Sequence, residues 1–306
     1  MIVDAHMHLW SRVDGRMGGG VRVLPAGGGR IRIGEREMLG MPASFLDGLA
    51  RAELALAEFD AAGVDVGVVV QEYMDGPQND YLLQVVARWP DRFFVHALPD
   101  FFRPDQVTAE AFRLFDQGFC GLKLSAAHLL DRVRLDDPRF APIWERMQAE
   151  ERVLAMDLAP GAAQVPAMER VLAQFPRLRA AVGHFGMVTR GDWLSQIRLA
   201  RHAHVYVEGG GLLWLFRAEG YPFRGAIAAV QRAKAEVGME KLMWGSDWPR
   251  TMVDFGYRQA LAFVRDEDNG LAPAEKRAFL GENAARLYRL PPAATPRAPL
   301  PLVTEG

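Results

Sequence analysis

The sequence of 306 residues is poor in cysteine, in net charge and in long apolar segments. A single cysteine, Cys120, excludes an internal disulfide framework and a metal site built from several thiolates. The 36 basic and 38 acidic residues leave a net charge of -2, which argues against nucleic acid or an anionic membrane as the main partner. No apolar stretch approaches the roughly 20 residues of a transmembrane span. Because residues 1–6 also lack the basic and apolar regions of a signal peptide, we expect a cytoplasmic protein.

Several common catalytic motifs are also missing. The chain has no Gly-x-Ser-x-Gly elbow of a serine hydrolase and no Walker-type phosphate-binding loop. Its glycine triplets, at 18–20 and 27–29, lack the spacing and the strand–helix setting of a dinucleotide-binding fingerprint.

Short apolar runs alternate along the chain with longer helical patterns. Half of the residues (50%) are hydrophobic, which is enough for a large core. The runs mostly lack polar alternation, as is typical of parallel strands covered on both faces. The predicted strands are Met1–Leu9, Val64–Gln71, Arg92–Pro99, Phe119–Ser125, Arg152–Leu158, Leu178–His184, Val205–Glu208 and Lys241–Ser246. The predicted helices are Ser44–Ala62, Asp80–Trp89, Val107–Gln117, Pro138–Ala149, Val165–Phe175, Trp193–His202, Arg224–Val237 and Tyr257–Arg265.

Eight strands that are each followed by a helix predict an α/β fold of the (β/α)8 TIM-barrel type, as one catalytic domain over residues 1–290. A doubly wound open sheet is the alternative, but it normally needs fewer strands. Residues 11–41 form a glycine-rich loop insertion after the first strand, either an arginine-bearing lid over an anionic substrate or an irregular surface segment. Residues 291–306 form a proline-rich, extended C-terminal tail, which either packs on a neighbouring subunit or has no fixed structure.

Two histidines lie at the end of the first predicted strand, in the run Asp4-Ala5-His6-Met7-His8. Side chains alternate along a strand, so His6 and His8 are expected on the same face. Inside a barrel, two such imidazoles can hold one divalent metal or one carbonyl oxygen, and they lie at the end where barrel active sites are built. A pair of core or surface histidines is the alternative.

Two later strands also end in polar residues. The sixth predicted strand ends at His184, and Asp247 follows the eighth. In a barrel, the C-terminal ends of all strands meet at one face, so these residues should approach the first-strand pair. A buried carboxylate without such partners would be costly. The four residues together therefore predict one site.

Five motifs carry a resemblance to a known family: DAHMHLW at the start, GLKL at 121–124, GHFG at 183–186, WGSDWP at 244–249 and ENAARLY at 282–288. With these motifs the chain resembles the amidohydrolase superfamily, and within it the lactonase-like branch of the amidohydrolase-related (amidohydrolase 2) family. That branch also contains zinc-dependent decarboxylases. The resemblance implies a barrel in which His6, His8, His184 and Asp247 bind or surround one divalent ion, zinc first and manganese second.

One position departs from the pattern that the resemblance implies. Metal-dependent members usually carry a histidine at the end of strand five, where this chain has Asp157 or Met156. The loss weakens the decarboxylase interpretation, whereas the lactonase group tolerates it and in some members works without metal. Asp157 is therefore either an oxygen ligand of the metal or the cap of the next helix.

Further residues are expected to line the pocket because they follow strand ends. Lys123 ends strand four and is interpreted as a cation for a substrate carboxylate or carbonyl, with a structural salt bridge as the alternative. The expected substrate-binding set is Lys123, Arg250, Gln71, Glu72 and His128, and Glu208 is placed to face the pocket as well. Any of these can instead lie at the rim or behind the ligands.

The expected function is hydrolysis of a small, carboxylate-bearing lactone or a related ester or amide. Asp247 takes the proton of the attacking water, and His184 with the other histidines binds the metal or, without metal, polarises the carbonyl. The alternative is a metal-dependent, non-oxidative decarboxylase of an aromatic or muconate-type acid. A third hypothesis is a barrel that binds a ligand without chemistry. The expected partners are a small-molecule substrate and a second copy of the chain in a homodimer.

Overall fold

The computed structural model describes residues 1–17, 20–292 and 297–301, in which the strands form two sheets. The larger sheet has eight strands, paired in parallel and in chain order. Its strands are β1 (Val3–His8), β6 (Val66–Val70), β7 (Phe93–Ala97), β8 (Gly121–Leu124), β9 (Val153–Met156), β10 (Arg179–Val182), β11 (Val205–Glu208) and β12 (Leu242–Met243). The smaller, antiparallel sheet has β2 (Gly15–Met17), β3 (Val21–Gly27), β4 (Arg30–Ile33) and β5 (Arg36–Leu39).

The first strand and the segment after the last strand are joined by backbone hydrogen bonds. The N–H of Ala5 donates to the carbonyl of Trp244 at 2.9 Å, and the N–H of Asp247 donates to the carbonyl of His6 at 2.8 Å. These bonds bring the two edges of the large sheet together and nearly close it. The predicted (β/α)8 barrel is therefore confirmed, and the open doubly wound sheet is excluded.

Helices lie between the barrel strands, and most of them match the predicted segments. They are α1 (Ala52–Ala62), α2 (Asn79–Arg88), α3 (Val107–Asp116), α4 (Ala141–Ala149), α5 (Val165–Gln174), α6 (Trp193–Ile197), α7 (Leu212–Leu215), α8 (Arg224–Val237), α9 (Tyr257–Arg265), α10 (Pro273–Arg277) and α11 (Asn283–Tyr288). Helix α1 begins eight residues later than predicted. It ends at Gly63, whose φ of 78° permits the left-handed turn at which its N–H bonds to Phe59. Among the described residues, no helix is long and apolar enough to cross a bilayer.

Strand β6 packs closely against the neighbouring strand β1 and helix α1. The strand Val-Gly-Val-Val-Val is buried throughout, as expected for a strand covered on both faces. A side chain at Gly67 would lie 2.5 Å from the sulfur of Met7 and 2.6 Å from the ring of Phe59 in α1. Glycine at 67 therefore lets β1 and α1 pack against the same point of the strand.

The insertion after β1 is regular rather than irregular. Gly27, Gly28 and Gly29 all have positive φ, between 56° and 75°, and turn β3 back onto β4. Val23 and Ile31 are buried under this small sheet, while Arg32 on the outer face pairs with Glu37 at 2.8 Å. Alternating arginine and aliphatic residues thus build a half-buried sheet. Gly18 and Gly19 of the first triplet lie outside the described residues.

The described part of the tail has no helix or strand but contacts the barrel. The N–H of Arg297 donates to Asp65 at 3.0 Å, and the N–H of Leu300 donates to the carbonyl of Ala61 at 3.2 Å. Residues 297–301 therefore lie along the end of α1, on the chain's own barrel. Residues 293–296 and 302–306 lie outside the described residues.

Candidate active site

The two histidines of β1 converge on the aspartate that follows β12. His8 Nε2 lies 2.9 Å from Asp247 Oδ1, and His6 Nε2 lies 3.8 Å from the same oxygen. The register between β1 and β6 shifts between Asp4 and Met7, where β1 holds one extra residue. Such a bulge re-aims side chains. The two imidazole rings end 5.1 Å apart at the C-terminal mouth of the barrel.

The other half of the site is formed by His184 and Asp157, at the ends of β10 and β9. His184 Nε2 lies 3.2 Å from Asp157 Oδ2, and its ring centroid is 4.7 Å from that of His6. Helix α5 has Gln164 at its N-cap, so the interpretation of Asp157 as a helix cap is wrong. Asp157 is buried and belongs to the site.

The three imidazoles share one orientation. Each uses Nδ1 for an acceptor of the protein itself: His6 for Glu208 at 2.7 Å, His8 for the carbonyl of Val70 at 3.2 Å and His184 for the carbonyl of Gly210 at 3.0 Å. With the Nδ1 proton engaged in this way, the Nε2 atom of each neutral ring is a lone-pair donor. All three Nε2 atoms face the carboxylates of Asp157 and Asp247.

This donor set fits a divalent cation. Ligand atoms of His6, His8 and Asp247 lie within 4.8 Å of one another, and so do those of His6, Asp157 and His184. Two of these buried ligand atoms, His6 Nε2 and Asp157 Oδ1, have no hydrogen-bond partner in the part of the chain described. Imidazole nitrogen and carboxylate oxygen are ligands that zinc and manganese accept.

The charges in the site are set by its carboxylates. Burial raises the pKa of Asp247, but the hydrogen bond of His8 and the charges of the three histidines together outweigh burial and hold this pKa below its ordinary value. Burial lowers the pKa of His184, but the charge of Asp157 outweighs this and raises it to about 10. Without a metal the site therefore contains an ionised Asp247 and a cationic His184.

Glu208, at the end of β11, supports two of the histidines from behind. Its Oε1 accepts the Nδ1–H of His6 at 2.7 Å and the backbone N–H of His184 at 3.1 Å. Burial raises the pKa of Glu208 to about 7, although the charge of His184 lowers it. A carboxylate in this position fixes the tautomer and the ring orientation of His6.

Backbone strain is concentrated at the same strand ends. His184 and Asp247 have φ values of 52° and 59°, and Phe185 has 50°. Non-glycine residues rarely adopt this left-handed conformation, and when they do they cluster at functional sites. This conformation directs the side chains of His184 and Asp247 into the mouth of the barrel.

Lys123 is already paired with two carboxylates of the protein. It is fully buried and contacts Asp157, and its Nζ lies 3.4 Å from Glu72 Oε1. The other oxygen of Glu72 lies 3.4 Å from His128 Nε2. Lys123 therefore compensates two carboxylates beneath the site, while His128 lies at the pocket edge. Their predicted contact with substrate stays a prediction.

Two other predicted substrate-binding residues are engaged by the protein. The amide of Gln71 donates to the carbonyl of His96 at 2.6 Å and to Asn79 at 2.9 Å. Arg250 pairs with Asp75, and its guanidinium lies 4.6 Å from the ring centroid of Trp10. These contacts fix loops of the barrel mouth.

Asp4 is a supporting residue of the site that was not identified from the sequence. It is fully buried and accepts hydrogen bonds from the N–H of Ser246 at 2.8 Å and from the hydroxyl of Tyr257 at 2.9 Å. It thereby ties β1 to the residue before Asp247. The signal was available, because Asp4 opens the DAHMH run and Ser246 precedes Asp247.

The profile of the family described as "Amidohydrolase" matches residues 3–290. An L-fucono-1,5-lactonase of Burkholderia ambifaria is 29% identical over 240 residues, which cover 75% of this chain and 81% of that protein. A 4-sulfomuconolactone hydrolase of Hydrogenophaga intermedia is 24% identical over 241 residues, which cover 74% of this chain and 76% of that protein.

Two solved structures have the same fold. A probable 2-pyrone-4,6-dicarboxylic acid hydrolase from Acinetobacter baumannii, with citric acid bound, aligns with a TM-score of 0.70 at 20% identity, over 94% of this chain and 99% of that one. An amidohydrolase from Burkholderia multivorans with bound zinc aligns with a TM-score of 0.69 at 20% identity, over 95% and 100%. Since the family match spans almost the whole barrel, the chain is an enzyme of the amidohydrolase family, as its motifs predicted.

Proposed function

We propose that this enzyme hydrolyses a small lactone that carries a carboxylate or a similar anion. The observation that carries the proposal is the shared orientation of the three imidazoles, whose Nε2 atoms face two carboxylates at the mouth of the barrel. Such a site can activate water beside a carbonyl group. The names of the two similar proteins, a sugar lactonase and a sulfomuconolactone hydrolase, support lactones as the substrate class.

Asp247 acts as the base in this proposal. Its carboxylate is held by His8 at 2.9 Å and takes a proton as the oxygen of water bonds to the lactone carbonyl carbon. The bond between that carbon and the ring oxygen then breaks, and the ring oxygen receives the proton from Asp247. Water is added and a hydroxy acid leaves, so atoms and charges balance.

One divalent ion fits the donor set, with zinc the first candidate and manganese the second. His6, His8, His184, Asp157 and Asp247 would hold it. When bound, the ion supplies Lewis acidity to the carbonyl and lowers the pKa of water. In protein that contains no metal, the cationic His184 supplies positive charge beside the carbonyl instead.

A substrate panel with two readouts tests the reaction class. Purified enzyme is incubated with carboxylated lactones and with aromatic and muconate-type acids, while acid release and CO2 release are both recorded. Acid release from lactones without CO2 is expected. Release of CO2 from the acids would replace the proposal with the decarboxylase alternative. Binding without turnover of any compound would favour a barrel that only binds its ligand.

A further inference from the structure

The anion of a carboxylated lactone needs a cation that the protein has not already compensated. Lys123 and Arg250, the two cations predicted for this role, contact Asp157 and Asp75 respectively. A substrate anion that binds either of these buried lysine or arginine side chains would have to displace the carboxylate already paired with it, which is costly. The partner of the substrate anion must therefore lie elsewhere around the mouth.

A cavity of 590 Å³ lies on the same, C-terminal side of the barrel as the candidate active site. It lies between β2 of the insertion and the loops that follow β6, β7 and β8, and its volume is in the range of small-molecule sites. His128 lines the cavity, and its Nε2 lies 3.4 Å from Glu72, whose other oxygen lies 3.4 Å from Lys123 beneath the active site. A larger cavity of 820 Å³ lies at the opposite end of the barrel, where Val66 and Val153 begin their strands.

The wall of the 590 Å³ cavity is aromatic. The rings of Tyr73 and Phe102 lie 5.1 Å apart, and the ring of His128 lies 5.9 Å from that of Tyr73, edge to face. Phe102 is 37% exposed although it is a large apolar side chain. Aromatic faces of this kind accept a planar group by stacking or edge contact.

Two arginines line the same cavity, Arg16 from β2 and Arg132 from the loop after β8. Among the described residues, neither guanidinium has a carboxylate within 4 Å, whereas Arg22 of the same insertion pairs with Asp14 at 2.9 Å. The Arg132 guanidinium lies 5.7 Å from the ring centroid of Phe102. A guanidinium matches a carboxylate or sulfonate with two parallel hydrogen bonds.

Acidic residues of this cavity are engaged already. Asp14 pairs with Arg22, as above, and Asp100 pairs with Arg103 at 3.2 Å. The carboxylate of Glu110 accepts the backbone N–H of Asp100 at 2.9 Å. Arg16 and Arg132 are therefore the cations of this lining that can receive the carboxylate of a ligand.

The insertion fixes the position of this wall. The N–H of Arg16 donates to the carbonyl of Tyr73 at 2.8 Å, and the N–H of Asp14 donates to the carbonyl of Asp75 at 3.2 Å. A side chain at Gly15 would lie 1.9 Å from the carbonyl oxygen of Met74. The backbones of β2 and of the loop after β6 are thus in direct contact, which holds Arg16 beside Tyr73.

We propose that the cavity formed by Arg16, Tyr73, Phe102, His128 and Arg132, the aryl subsite, binds an aromatic substituent of the lactone that carries the anionic group at its far end. The inference rests on the proposed lactone hydrolysis and narrows its substrate class to aryl-substituted, anionic lactones. Tyr73 and Phe102 contact the aromatic ring, and Arg16 and Arg132 bind the carboxylate. The lactone ring itself lies at the histidines and Asp247.

A matched substrate pair tests the aryl subsite: γ-phenyl-γ-butyrolactone and γ-(4-carboxyphenyl)-γ-butyrolactone, which differ by one carboxylate. The wild-type enzyme is expected to prefer the carboxylated lactone. Arg16→Gln and Arg132→Gln are each expected to reduce the ratio of the two kcat/KM values about tenfold, since a charge-assisted hydrogen bond is lost. Arg134→Gln is the control, because Arg134 pairs with Asp136 and does not line the 590 Å³ cavity; both kcat/KM values should stay as in the wild type.

Equilibrium binding separates failure of the subsite from failure of the reaction. Calorimetry with the ring-opened carboxyphenyl hydroxy acid is expected to give about tenfold weaker binding to each arginine variant than to the wild type. An unchanged Kd in the Arg16→Gln/Arg132→Gln double variant would overturn the aryl subsite, whatever the turnover. Weaker binding in the variants with no hydrolysis of either lactone by the wild type would keep the subsite and overturn the proposed function.

Discussion

Asp247 combines three properties at the scale of one residue. Its carboxylate is 2.9 Å from His8 Nε2, its backbone has a φ of 59°, and its N–H closes the barrel onto His6. A general base must be ionised, and its lone pair must be oriented. These contacts supply both conditions. The same residue therefore serves the chemistry and the closure of the sheet.

Asp247→Asn should remove the base and keep the fold. Asparagine tolerates positive φ and retains the backbone hydrogen bond, so the circular dichroism spectrum and the melting temperature should stay close to wild type. Loss of general-base catalysis should lower kcat by about 10²–10⁴-fold. Asp254→Asn, at an exposed ion pair with Arg217, is the control and should keep full activity. Activity near wild type in Asp247→Asn would contradict the assignment.

The carboxylates around Lys123 give this lysine a structural role. Burial lowers the pKa of Lys123, but the charges of Asp157 and Glu72 raise it above its ordinary value, so the lysine stays charged. Lys123→Met leaves two buried carboxylates without their cation, which should lower the free energy of unfolding by about 3–5 kcal/mol. Urea denaturation measures this loss.

A double variant separates the structural role of Lys123 from substrate binding. Adding Asp157→Asn to Lys123→Met removes one of the uncompensated charges and should recover part of the lost stability. If Lys123 instead binds the substrate anion, Lys123→Met raises KM and leaves the unfolding midpoint unchanged. That second pattern would contradict the structural role.

Glycines at the ends of the barrel strands control the site at the scale of elements. Gly183, between β10 and His184, has φ and ψ of -77° and 163°, which any residue can adopt. A side chain there would nevertheless lie 1.9 Å from Asp157 Oδ1 and 2.9 Å from Glu208 Oε1. The strand ends therefore come so close together only because one of them lacks a side chain.

Gly183→Ala should displace Asp157 and weaken the metal site without unfolding the barrel. Zinc titration is expected to give an affinity at least about tenfold below wild type, in line with the loss of a positioned ligand. Gly256→Ala is the matched control, because nothing lies within 4 Å of its added carbon and its φ is -83°. Equal zinc affinity in Gly183→Ala and wild type would show that Asp157 takes no part in metal binding.

At the scale of the whole molecule, a metal held by residues of β1, of the ends of β9 and β10, and of the segment after β12 would stabilise the barrel. Dialysis against a chelator should lower the melting temperature, and returning zinc should restore it. At zinc concentrations of about 100 times Kd the gain is about 2.7 kcal/mol, which corresponds to roughly 5–10 °C for a chain of this size. Magnesium, which prefers oxygen ligands, is the control and should have little effect.

Elemental analysis accompanies the melting experiment. Protein purified without chelator should contain about one zinc or manganese per chain. If metal-free protein is fully active and zinc does not change its melting temperature, the metal-dependent mechanism is excluded. The mechanism in which His184 supplies the positive charge would then remain.

The barrel and the four polar residues at three of its strand ends were predictable because their signals are local. Apolar runs, helix-ending glycines and prolines, and a polar residue after each run are visible in short stretches of sequence. The insertion was harder, because its sheet depends on arginines and aliphatic residues that alternate over few positions. Asp4 was missed because its role rests on hydrogen bonds from Ser246 and Tyr257 that form only in the closed barrel.

The sequence by itself determined that eight strands and their helices form a barrel, and that His6, His8, His184 and Asp247 stand at its C-terminal mouth. Only the tertiary structure decided which cation meets which carboxylate. Lys123 and Arg250 are compensated by Asp157 and Asp75, whereas Arg16 and Arg132 line a cavity. The physical reason is distance: secondary structure follows from neighbours along the chain, but the energy of a charge depends on groups that only folding brings within a few ångströms of it.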